Sequence, residues 1–86
     1  MSTHRLNSAE AAVVRRSTEG VRTHDMTGGW RVIVAKYGEH HATWYYHVAD
    51  DARIAVALER EAYRRLSVWQ YRAALRPLGD GGRDGE

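Results

Sequence analysis

Five histidines, twelve arginines and one lysine, Lys36, carry most of the chemistry open to this chain. Glu39-His40-His41, with His24 before it and His47 after it, offers donors that zinc or nickel accepts when three or four converge at about 2 Å. Adjacent histidines on an extended chain point to opposite sides. No H-x-H, H-x-x-x-H or H-E-x-x-H spacing occurs. The residues therefore predict no metal site, and a solvated loop at 38–41. A metal-independent ribonuclease needs a base, an acid and a cation for the phosphate. Glu39, His40 and Arg31 are of those types. Against that, there is no serine nucleophile motif, no phosphate-cradling glycine loop and no pair of carboxylates near a histidine. Gly28-Gly29 alone reads as a turn. The sequence thus predicts no enzyme, no catalytic residue and no cofactor, with a toxin-like ribonuclease as the third functional reading.

Binding chemistry is better represented. Arg53, Arg60 and Arg64 fall in one row of the C-terminal periodic segment, with Tyr71 further along it, while Arg65, Arg72 and Arg76 lie near the edge of the apolar stripe. Such arginines could neutralise phosphates, and a neighbouring tyrosine could stack on a base. Glu59 and Glu61 interrupt the field, and a long amphipathic helix needs a solvated face in any case. A second cluster is aromatic: Trp30, Trp44, Tyr45 and Tyr46, flanked by Arg31 and Lys36. Trp, Tyr and Arg are the usual anchors of protein interfaces. With no Phe in the chain, Trp44 and Tyr46 are needed for the core, which leaves Trp30 and Tyr45 partly exposed.

These groups must be positioned by few elements, because 86 residues make one domain. The apolar fraction of 43% and charged fraction of 28% are those of a globular chain, and exclude disorder throughout or a collagen-like repeat. No apolar run approaches the ~18 residues of a membrane span. The absence of cysteine and of an N-terminal apolar leader makes a cytoplasmic location the expectation. Net charge is only +2, so the isoelectric point of 9.3 overstates the field. Twelve arginines against one lysine, with twelve alanines and eight glycines, suggest a GC-rich genome such as that of an actinobacterium or its phages.

Residues 1–6 read as a loose N-terminus, 7–76 as a single α+β domain, and 77–86 as a flexible Gly-rich acidic tail. Asn7 could cap a short helix with Glu10 reaching back, and Ala9, Ala12 and Val13 as its apolar stripe. A strand through 12–18 is the rival. Residues 21–24 suit a short strand. Residues 30–37 and 43–48 are the clearest strands, joined by the four residues 38–41 as an antiparallel hairpin or part of a small three-stranded sheet. Apolar residues on both faces of 30–37 require cover on both sides. One long amphipathic helix runs from Asp50 or Asp51 to 76, where Pro77 should stop it. Its buried stripe is Ile54, Ala55, Leu58, Ala62, Leu66, Trp69 and Ala73.

Double-stranded-RNA-binding domains share this order of elements, and the arm-binding domains of phage integrases resemble its last four. The Lys-rich start of the last helix in the first family is replaced here by Asp50-Asp51, so the order carries no family assignment. The leading functional expectation is a small non-catalytic module that binds a protein, such as a phage-type modulator of a host protein. The alternative is a DNA- or RNA-binding regulator that uses Arg53, Arg60, Arg64, Arg72 and Tyr71. A homodimer is also expected. The helix looks longer than its sheet, which would leave Leu66, Trp69 and Ala73, together with Trp30 and Tyr45, to form a partner or dimer interface.

Overall fold

The computed structural model describes the backbone of residues 8–84 and the side chains of residues 8–75. The chain runs α1 (Ser8–Arg16), β1 (Gly20–Asp25), a short 3₁₀ turn (Thr27–Gly29), β2 (Trp30–Tyr37), β3 (His40–His47) and α2 (Ala52–Asp84). The three strands form an antiparallel meander in the order β1-β2-β3. It is an α+β fold, with the sheet packed by the long C-terminal helix and a short N-terminal helix. Of the two readings of 7–18, the structure shows the helix, over Ser8–Arg16. Asn7 and the N-terminal residues 1–6 lie outside the described residues.

The double-faced β2 run has the consequence its composition demands. Val32, Ile33, Val34 and Ala35 are all buried, and each face of the sheet meets a different helix. Val32 and Val34 pack with Val13 and Val14 of α1, joined by Met26. Ile33 and Ala35 pack with Ala62 of α2, joined by Val21, Trp44, Tyr46, Leu58 and Trp69. Of the stripe expected on α1, Val13 is buried, Ala12 is half-buried and Ala9 is exposed. Glu10 is buried instead, and accepts a hydrogen bond from the Tyr45 hydroxyl.

Polar contacts fix the layers. The Lys36 ammonium donates to the carbonyls of Val14 (2.9 Å) and Ser17 (3.2 Å) at the C-terminal end of α1. That places the chain's one lysine where the helix dipole is negative. His47 Nδ1 accepts from the Ala49 amide, so its Nε2 carries the proton that goes to the Gly28 carbonyl. Gly29, at φ +83°, must remain glycine: a Cβ there would lie 2.8 Å from His47 Nε2. Asp51 caps α2, its Oδ1 accepting from the Arg53 amide at 2.9 Å.

Three expectations are corrected. The connection between β2 and β3 is two residues, Gly38 and Glu39, since Tyr37 pairs with His40. Gly38 has φ +61° and no non-glycine described residue has positive φ. Positive then negative φ matches a II′ turn, which lets the ladder close immediately. His40 and His41 therefore belong to β3, not to a solvated loop. Second, Ile54 is exposed, because it sits at the edge of the arc facing the sheet. Third, α2 does not stop at Pro77 but continues to Asp84. Proline's fixed φ suits a helix, and what it removes is the N–H that would serve the carbonyl of Ala73. The helix of 33 residues is ~50 Å long and sets the long axis of a 53 × 28 × 27 Å molecule. No helix among the described residues is long and apolar enough to cross a membrane.

Candidate functional site

The register of β2 and β3 decides where the polar aromatic groups go. Alternation puts Arg31, Ile33, Ala35 and Tyr37 of β2, and Tyr46, Trp44, Ala42 and His40 of β3, on the face toward α2. Two consequences follow at opposite ends of that face. At one end, Arg31 donates to Asp25 at 2.9 Å. Its bonds to the Tyr46 phenol and to Asp25 hold the guanidinium further above its usual range. At the other end, Tyr37 and His40 form the last pair before the turn. Six residues of strand, ~20 Å, separate Arg31 from Tyr37, so the combination of Glu39, His40 and Arg31 is not brought together.

A different arginine reaches the hairpin tip. A cleft of about 460 Å³ is lined by Tyr37, Gly38, Glu39, His40, Trp69, Arg72 and Ala73. Its floor is a stack: the His40 imidazole lies on the Trp69 indole, with centroids 5.3 Å apart and planes within 14° of parallel. Trp69 is half-buried and belongs to the core cluster, whereas His40 is exposed. Arg72, three residues after Trp69, stands on the same side of α2 and makes no ion pair among the described residues.

The residues expected to form an interface are redistributed. Leu66 is buried against the chain's own sheet, at 9% exposure. Trp69 is occupied by His40, and Ala73 is half-buried at the cleft. The reason lies in the turn: a hairpin that closes over two residues carries β3 further along α2 than a four-residue loop would, and covers this stripe in cis. Trp30 and Tyr45 are exposed as expected, at 47% and 37%. Trp30 meets His47 edge-on at 5.1 Å, and Tyr45 is tied to Glu10. Trp44 is half-buried, with the Arg65 guanidinium 5.8 Å above its ring.

The outward face of α2 gathers the rest. Arg53, Arg60, Arg64 and Tyr71 are exposed there, as the row read from the sequence requires. Between and beside them stand Val56, Tyr63, Val68 and Leu75, which are also exposed. Their recurrence was not anticipated. Reading the helix at 100° per residue through the complement of the buried stripe would have found it. Arg53 is paired with Asp51 at 2.8 Å, and Arg64 approaches Glu61 at 3.8 Å. Arg60 has no ion-pair partner among the described residues.

Of the other histidines, His24 Nε2 lies 2.8 Å from the buried Ser17 hydroxyl, which bonds to the Val13 carbonyl. Ser17 thus closes the end of α1. No group of three or more metal-ligating side chains converges among the described residues. No family model matches this chain, and comparison with curated proteins and with solved structures found no match.

Proposed function

We propose that this chain is a non-catalytic binding module whose target is a protein, engaged by the outward face of α2. One observation carries the reading. Val56, Tyr63, Val68, Tyr71 and Leu75 stay exposed on a helix whose inward stripe is already satisfied by the sheet. A solvated helix face has no need of two tyrosines and three branched aliphatics, and grouped exposed apolar side chains mark interaction surfaces. Arg53, Arg60 and Arg64 interleave with them, while Glu59 and Glu61 fall to the flanks. The fitting partner is therefore an amphipathic protein segment that carries carboxylates among aliphatic or aromatic anchors. A small modulator of a host protein would use such a surface. Nucleic acid is the weaker fit for this face, because two of its three arginines have carboxylate neighbours in cis.

The test is affinity capture from the native host after nuclease treatment, with wild type beside Val68→Asp/Tyr71→Asp. A protein retained by wild type and lost by the double variant, with unchanged helical circular dichroism, is the expected result. Capture that vanishes on nuclease treatment, or ignores the double variant, overturns the reading. Light scattering of both forms identifies the case in which the partner is a second copy.

A further inference from the structure

The hairpin-tip cleft opens toward the sheet side of α2, meeting the docking face only where Arg72 follows Val68 by one turn, and calls for a separate account. His40 extends β3, whose inward residues otherwise feed the core, yet it remains exposed while lying flat on Trp69. An imidazole held near-parallel to an indole, in a residue that is exposed, offers a flat ring surface. Such a platform accepts a third ring by stacking, and base-on-aromatic stacking is a principal source of affinity in single-strand binding. The platform sits in a concave site, not on an open surface, and about 460 Å³ is within the range of small-ligand sites.

The charged groups around it have complementary placement. Arg72 lines the helix side of the cleft and has no carboxylate partner among the described residues. A guanidinium with five N–H donors suits a phosphate or phosphodiester. Glu39 lines the turn side, where a carboxylate accepts N–H donors, two side by side when the ligand offers them. Tyr37 also lines the cleft. An anion at Glu39 is disfavoured, which sets the direction of any ligand: phosphate toward α2, base edge toward the turn. Guanine presents two adjacent N–H donors on one edge and is the base that best meets a carboxylate.

We propose that this cleft binds a nucleotide, its base stacked on His40, its N–H edge on Glu39 and its phosphate on Arg72. The ligand is either a free guanine nucleotide or one unit of a single strand. The proposal is independent of the protein-docking role of the outward face.

Guanosine monophosphate, guanosine and inorganic phosphate are the probes, titrated into the full chain with ¹H–¹⁵N spectra as the readout. The expected result is shifts at Gly38, Glu39, His40 and the Trp69 indole, with the monophosphate binding at least about tenfold more tightly than either part alone. His40→Ala should weaken it about tenfold, and His40→Phe, which keeps a flat ring, should restore most of the loss. Arg72→Gln should bring the monophosphate down to the affinity of guanosine. Val56→Asp, sixteen residues before Arg72 and far round the helix from it, should leave all values unchanged. A single-stranded octanucleotide of uridines with one guanine distinguishes the sources. Tighter binding than the monophosphate identifies a strand, and equal binding identifies the free nucleotide. Inorganic phosphate that binds as tightly as the monophosphate overturns the proposal, as does the absence of shifts at His40 and Trp69 at about millimolar ligand.

Discussion

Leu66 and Tyr71 stand five residues apart on α2, and the fold assigns them opposite fates: Leu66 is 9% exposed and Tyr71 65%. Replacing each by Ala therefore separates what holds the helix from what the helix offers. Leu66→Ala removes a buried side chain from the contact between α2 and the sheet. Such deletions cost about 2–5 kcal/mol, depending on how far the site collapses. Leu66 lies near the middle of α2, flanked on the same stripe by Ala62 and Trp69. A small neighbour and a large rigid one give little room for collapse, so about 3 kcal/mol is the expectation. A chain of this size has about 4–13 kcal/mol in total, so the variant loses a large share of it. Tyr71→Ala removes a ring that is mostly in water, and Ala is the better helix former by up to about 0.7 kcal/mol. Its expected effect lies between zero and a slight gain. Urea unfolding followed by circular dichroism and tryptophan fluorescence reads both, at two protein concentrations tenfold apart. The reasoning is refuted if Tyr71→Ala costs more than about 1.5 kcal/mol or Leu66→Ala less than about 1. Either result would mean that the helix docks by its other face.

Further outcomes follow from individual contacts. Lys36→Met should cost about 1–3 kcal/mol, because two helix-end carbonyls lose a charged donor. Amide exchange in α1 should quicken before that in β2. Gly29→Ala should destabilise by at least about 1–2 kcal/mol from the positive φ alone, and the His47 ring signals should shift as its bond to Gly28 breaks. The Asp51 carboxyl is held below its ordinary value of 3.8, first by the Arg53 guanidinium and then by the Arg53 amide. A depressed folded value means that this contribution is full above pH 3.8 and is lost as pH falls through the folded value. Wild type and Asp51→Ala should therefore differ most in melting temperature near neutral pH and converge in strong acid.

The parts of the fold legible in the sequence are those with redundant signals. Residues 30–37 are β-branched and apolar on both faces, so strand character and two-sided cover could be read together, and α1 and α2 supply that cover. The start of α2 was legible because an aspartate preceded a periodic run, and Asp51 makes the cap. The length of the turn is not legible locally, because His40 and His41 are polar and look like loop. Polarity says where water is, whereas pairing is decided by backbone geometry. The parity of Trp44, Ala42 and His40 held the correct answer, since stepping by two from an inward tryptophan puts His40 inward. Pro77 misleads for a similar reason: one missing donor weakens a helix without forbidding it.

The cleft was illegible for a different reason. Each of its residues carried a plain local meaning: His40 a loop, Trp69 a core or interface residue, Arg72 a solvated cation. Its chemistry exists only through a contact between residues 29 apart, and that contact depends on the turn length. Shortening the connection from four residues to two moves His40 from solvent onto Trp69, closes the stripe that had been expected to face a partner, and brings Glu39 opposite Arg72 across one cavity. The same step leaves the opposite face of α2 as the surface with exposed apolar side chains still uncovered. The cleft thus depends on the II′ turn at Gly38, where φ is +61° and a side chain would be strained whatever the space around it.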